Sequence, residues 1–294
     1  MLTVIAVGVL MAAAARLQLL RERTSPLPER NEATLYLTSG NALRRMTIGY
    51  SALAADVYWI RAIQHFGDKR LGRAAAPGGA ERDFPLLYPL LDLTTTLDPR
   101  FNIAYRFGAI FLAEPVPGGA GRPDLAIALL EKGLREVPDK WEYVVDVGFV
   151  HYWWLHNYRE AAGWFDRASH LPHAPSWLGA MAATTLAQGG DRTSSRQMWQ
   201  ALRESADNDW LRGSAERALM QLGALDQIDE LQQIVDRAAK EDGAPPVGGR
   251  VVQINGRVIV DPTGVPYEVD AEGRVHLGQK SSLFPLPDQP AHLS

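Results

Sequence analysis

The chain has 294 residues, enough for one large domain or two ordinary ones at roughly 100–200 residues per domain. Hydrophobic residues at 46% and charged residues at 22% fit a globular chain and exclude extended disorder, a collagen-like fibre and a polytopic membrane protein. A formal charge of −4 with no Lys/Arg run longer than two residues offers nucleic acid no net attraction, and the absence of cysteine removes disulfides, thiol catalysis, cysteine-ligated zinc, iron–sulfur clusters and c-type haem.

Residues 1–23 form the first segment. Leu2 to Ala15 is uncharged and almost wholly apolar, and the run continues through Arg16 to Leu20 before Arg21-Glu22-Arg23. A span needs about 20 apolar residues, and this run reaches that length by placing Arg16 where its stem can snorkel. A transmembrane anchor is the favoured reading; a cleavable signal peptide ending at Ala12 to Ala15 is the alternative. The positive-inside rule puts Arg16, Arg21 and Arg23 on the cytoplasmic side, whereas an export signal carries basic residues ahead of its apolar run. A start upstream of Met1 would supply them.

Residues 24–83 read as a linker, with two prolines between Ser25 and Glu32, followed by a helical region. Met46 to Phe66 is apolar on most faces and proline-free, which predicts one long, largely buried helix. Asp56 within it is expected to pair with Arg61 or Arg44, since a buried carboxylate needs a partner. The glycine-rich stretches at 71–80 and 117–123 lack the Lys-Ser/Thr pair of a phosphate loop.

Residues 84–242 carry an internal periodicity. Ala104, Phe107, Gly108 and Phe111 keep helical spacing, then Ala126, Leu130 and Gly133 lead to Pro138. The block recurs as Val144, Val147, Gly148 and His151, then Ala161, Phe165 and Ala168 up to Pro172. A weaker third copy has Leu178, Met181, Ala182 and Thr185, then Met198, Trp199 and Leu202 after Gly190-Asp191. Small residues let paired helices approach, while Phe107, Phe111, Leu130 and Phe165 are expected to fill the gap. Trp210 to Asp242 reads as further helix capping the array.

These positions resemble the tetratricopeptide repeat, a helix-turn-helix of 34 residues, over about residues 84 to 206. The first copy departs from the pattern by a loop insertion of about six residues and a missing early aromatic. The run Leu53 to Ile60, with Leu97-Asp98-Pro99-Arg100-Phe101, looks like bacterial membrane-tethered tetratricopeptide proteins. In that family the first helix of each repeat faces the concave surface. The resemblance therefore implies a partner-binding groove lined by Asn102, Tyr105, Arg106, Asp146, Phe149, Tyr152 and Trp153, with Trp154 turned to the core.

Residues 243–294 break the helical pattern. Val251 to Val260 predicts a β-hairpin with Asn255-Gly256 as its type I′ turn, and 268–277 predicts a second small hairpin. Such short strands are expected to pack on the helical body or on another protein. The run Asp261-Pro262-Thr263-Gly264-Val265-Pro266-Tyr267 between the hairpins is similar to a seven-residue segment of type II secretion pseudopilins.

The seven histidines include one close pair, His170 and His173, which flank an expected helix end and read as capping or surface residues. No catalytic or metal-binding signature is present in the sequence. The expectation is thus a mainly α solenoid of tetratricopeptide type with an N-terminal membrane helix and a C-terminal β extension. It is expected to act without cofactor, metal or catalysis as a scaffold for other proteins, an accessory subunit or assembly factor at the bacterial inner membrane with its body in the periplasm. The alternative is an enzyme using Asp56 or the acids Asp261, Asp270 and Glu272.

Overall fold

A computed structural model describes Arg16 and residues 40–47, 49–71, 84–242 and 250–287. Among the described residues are ten helices and five short strands. None of these helices is long and apolar enough to cross a membrane; the expected span Leu2–Leu20 lies outside the described residues apart from Arg16. The chain divides into two compact units, Met1–Asp98 and Pro99–Ser294.

The amino-terminal unit contains α1 (Gly40–Met46), α2 (Ser51–Arg70) and α3 (Leu87–Leu97). The single helix expected from Met46 to Phe66 is replaced by a break between α1 and α2. Gly49 there has φ +90°, a left-handed backbone that glycine adopts without steric cost. Thr47 closes the end of α1 by donating its Oγ1 to the Arg44 carbonyl at 2.9 Å. Nor is α2 largely buried. It packs on α3 through one face, where Ala55, Ala62, His65 and Phe66 are buried, and Phe66 meets Phe84 at 5.6 Å between ring centroids. Leu53, Val57 and Ile60 on the far side are exposed. Asp56 is exposed with them, so its expected pairing with Arg61 or Arg44 does not form; an exposed carboxylate has water and needs no partner. The buried hydroxyls of Thr94 and Thr95 in α3 donate to the carbonyls of Leu90 and Leu91, leaving those polar groups satisfied.

The second unit is an array of helices, each packed on the next. Three helical hairpins follow one another: α4 (Asn102–Ala113) with α5 (Pro123–Glu136), α6 (Trp141–Trp153) with α7 (Tyr158–Ser169), and α8 (Trp177–Gln188) with α9 (Arg192–Ser205). The second helices begin at Pro123, Tyr158 and Arg192, about 35 residues apart, which gives the array a helical-repeat character. Their starts are chemically marked. Pro123 takes the first turn of α5, where its missing N–H costs nothing. Asn157 and Asp191 accept from the N–H groups of Glu160 and Ser194 at the starts of α7 and α9, as N-cap side chains do.

Small residues set the helix spacing. A Cβ on Gly148 of α6 would stand 2.5 Å from Phe165 Cε1 of α7, so only glycine allows this approach. Leu130 and Phe165 are buried as expected, but Phe107 is 52% exposed. Ile103 and Ile110 of α4 are exposed as well, while Ala104, Gly108 and Leu112 are buried. The insertion after α4 turns back on the helix: the N–H groups of Ala120, Gly121 and Arg122 donate to the carbonyls of Phe111, Glu114 and Leu112. Those are the orphan acceptors of a helix end.

The array continues in the 34-residue α10 (Asp209–Asp242). Arg192 of α9 reaches Asp226 and Asp229 of α10 at 3.1 and 2.6 Å, and Arg196 also pairs with Asp226. The strands β1 (Arg250–Val251), β4 (Tyr267–Val269) and β5 (Val275–Leu277) form a three-stranded antiparallel sheet in the order β1-β4-β5. A separate hairpin joins β2 (Gln253–Ile254) to β3 (Arg257–Val258), with φ of 51° at Asn255 and 73° at Gly256, the left-handed pair of a type I′ turn. Val252, Tyr267, Val269, Val275 and Leu277 close a small core with Ala224 and Leu231 of α10. Gln227 accepts from the Tyr267 hydroxyl at 2.6 Å, and Gln232 from the Val275 N–H at 2.7 Å. The carboxy-terminal strands therefore use the last helix as their second layer, which strands this short require.

Candidate partner-binding groove

The groove lies between α4 and α6, the first helices of two successive hairpins, and encloses about 610 Å³. Arg106, Ala109, Ile110 and Glu114 form one wall; Asp146, Phe149, Val150, Trp153 and Trp154 form the other. The spacing follows from helix geometry: 106, 109 and 110 share one face of α4, and 146, 149, 150 and 153 share one face of α6. The lining is mostly apolar, and Trp153 stands 60% exposed. A mostly apolar cleft of this size with a few fixed polar groups has the usual make-up of a binding site.

Arg106 and Asp146 join the walls. Arg106 Nε donates to Asp146 Oδ2 at 2.6 Å, and its Nη2 to Oδ1 at 3.1 Å, a two-point pairing that fixes both side chains. Burial pushes the Asp146 carboxyl above its ordinary value, against the pull of Arg106; the hydrogen bond to Asp146 raises Arg106 in turn, with burial opposing. The ion pair thus offsets part of the cost of burying the Asp146 carboxylate. Glu114, the residue that caps α4, adds an acidic group to the same wall.

Of the residues expected to line the groove, Arg106, Asp146, Phe149 and Trp153 do so. Tyr105 does not. It is fully buried, its ring 5.1 Å from that of Tyr143, because it points between the helices of the array rather than outward. Tyr152 turns towards α8, where its hydroxyl donates to Gln188 Oε1 at 2.9 Å, and it packs edge-on against Tyr158. Asn102, at the start of α4, is half-buried and also outside the lining. Trp154, expected in the core, is half-buried and lines the groove; its N–H still bonds the Val150 carbonyl, so helical phase places it one turn beyond Val150 on the same face. Ala109, Ile110, Glu114 and Val150 complete the walls, and Ile110 was accessible to sequence reasoning as the residue four after Arg106.

Other polar candidates occupy turns. Asp261 accepts from the N–H groups of Thr263 and Val265, from Thr263 Oγ1, and from Ser281 Oγ. Burial pushes its carboxyl up, but these donors outweigh it and hold Asp261 below its ordinary value. Asp270 accepts from the N–H groups of Glu272 and Arg274. His170 Nδ1 lies 2.8 Å from the Asp166 carbonyl at the end of α7, and His173 has φ +61° in the following turn. Among the described residues, no group of three or more His, Asp or Glu side chains is placed to hold a metal ion.

Comparison of the chain with family models, with curated proteins and with solved structures gave no significant match.

Proposed function

We propose that this chain is a tetratricopeptide-type scaffold that binds another protein in the α4–α6 groove, as an accessory subunit or assembly factor of a bacterial envelope complex. The observation that carries the reading is the groove itself: an aromatic and aliphatic cleft between the first helices of successive hairpins, braced by Arg106–Asp146. Aromatic side chains in concave, desolvated pockets supply most of the energy of protein interfaces. An amphipathic helix or an extended segment offering apolar side chains fits the lining. The Leu2–Leu20 run supports attachment to the inner membrane. The 35-residue spacing of second helices and the glycine-to-phenylalanine contact at Gly148 support the repeat assignment.

The test is purification of the tagged full chain from its native membrane in mild detergent, with quantitative mass spectrometry of what accompanies it. The reading expects stoichiometric partner protein with the wild type and at least a tenfold loss with Phe149→Ala or Trp153→Ala. Partner retention unchanged by both substitutions would remove the groove from the interface.

A further inference from the structure

The outer face of α2 carries a heptad seam. Leu53, Val57 and Ile60 are 62%, 50% and 52% exposed, and Tyr50 precedes them at the N-cap. The positions 50, 53, 57, 60 and 64 alternate steps of three and four, the spacing of a and d sites in a coiled coil. Ala55 and Ala62, at the f positions diametrically opposite, are buried on the α3 side together with His65 and Phe66. The helix thus has one face used within the unit and a second apolar stripe on its outside. Single exposed apolar residues need no explanation, but a continuous stripe does.

The charges beside the stripe identify what covers it. Asp56 falls at a g position and Arg61 at the e position five residues later, and both are exposed. In a parallel pair, g of one helix faces the following e of the other, so Asp56 meets the partner's Arg61 and, by symmetry, Arg61 meets the partner's Asp56. An antiparallel pair sets g against g and e against e and loses this match. A polar residue at one a position, here Gln64, fixes register at a cost in stability. A membrane surface would favour a basic rim on both sides of the stripe, whereas Asp56 makes one side acidic.

We propose that a second copy of this chain docks along α2 in parallel and in register, with Leu53, Val57 and Ile60 as the seam and Asp56 paired with the partner's Arg61. The seam is about two heptads long, so the association is weak in free solution and strengthens where two copies share a surface that raises their effective concentration.

The absence of cysteine makes the test clean. Single-cysteine full-length chains Leu53→Cys, Ile60→Cys and the off-seam control Ala52→Cys are oxidised with copper phenanthroline, and disulfide-linked dimer is measured on non-reducing gels. The proposal expects Leu53→Cys and Ile60→Cys both to cross-link to themselves, at least tenfold more than Ala52→Cys. Self-linking at both levels requires parallel, in-register helices. In the Ile60→Cys background, Asp56→Arg or Arg61→Asp alone is expected to reduce dimer by about threefold, from like charges meeting at both flanks, and the double exchange to restore it. Absence of seam-specific dimer, linkage to a different protein instead, or failure of the double exchange to restore would each overturn it. Circular dichroism that matches wild type confirms that each variant is folded, since none of these side chains faces α3.

Discussion

Arg106 of α4 grips Asp146 of α6 through two hydrogen bonds, at 2.6 and 3.1 Å, and so ties the first helices of two successive repeats together across the mouth of the groove. The two side chains differ in exposure, 41% for Arg106 and 16% for Asp146. Removing the arginine therefore strands a carboxylate that water reaches poorly.

Arg106→Ala is expected to destabilise the folded chain by about 1–2 kcal/mol at pH 7, the lower part of the range for a hydrogen-bonded charge because the arginine is partly solvated. The loss depends on pH in a definite direction. Asp146 in the fold already holds its proton to higher pH than an unfolded aspartate, and loss of Arg106 widens that difference. The penalty is full where Asp146 is charged and shrinks as pH falls through its folded value. Urea unfolding of wild type and variant at pH 7 and pH 4.5 checks this: the gap in stability narrows at the lower pH.

Gly148→Ala forces a methyl into the Phe165 ring. Overpacking of this kind costs about 1–3 kcal/mol, and it is expected to be relieved in part by Phe165→Leu, which retracts the clashing atoms. A double-mutant cycle on denaturant midpoints checks it: the paired variant must be more stable than the sum of the two single losses predicts.

His151 of α6 is half-buried, its Nδ1 enclosed without a hydrogen-bond partner, and burial lowers its pKa below the usual histidine value. The unfolded chain therefore takes up this proton first. The contribution to stability is whole above about pH 6.5 and is lost as pH falls from there through the folded value. One proton limits the slope to about 1.4 kcal/mol per pH unit, and partial exposure makes it smaller. Unfolding between pH 7.5 and 5 is expected to show a slope that His151→Gln flattens.

Asp261 sits where the turn after β3 meets Ser281. Asp261→Ala leaves the Thr263 and Val265 N–H groups and the Ser281 hydroxyl without their shared acceptor, at an expected cost of about 2–3 kcal/mol for a buried, charge-assisted cluster. Its carboxyl is held below the ordinary range, so the stabilisation is present above about pH 4 and is lost as pH falls through the lower folded value. Amide hydrogen exchange is expected to accelerate in residues 250–283 of the variant, with little change in α4 to α7.

The sequence carried the elements whose cause is local. Asn255-Gly256 named its own turn, and the repeat of small and large residues marked the hairpins. The groove was half legible: of the seven residues that the resemblance placed in it, Arg106, Asp146, Phe149 and Trp153 line it. Tyr105 was misplaced by one step of helical rotation: what draws it inward is Tyr143 and the space left at Gly133, partners about 30 to 40 residues distant. The extent of α2 burial was not legible either. Its apolar residues occupy two faces, and periodicity alone does not state that α3 covers only one of them.

The most direct test of the groove as a binding site is site-specific photocross-linking from benzoylphenylalanine placed at Phe149 in the full-length chain, compared with the same probe at Phe107. Phe107 is equally aromatic and more exposed but lies outside the lining. The account predicts one dominant cross-linked protein from position 149, with its attachment mapped by mass spectrometry to a single apolar segment, and its loss when Trp153→Ala is added. No cross-link at 149, or the same diffuse products from 149 and 107, would contradict it.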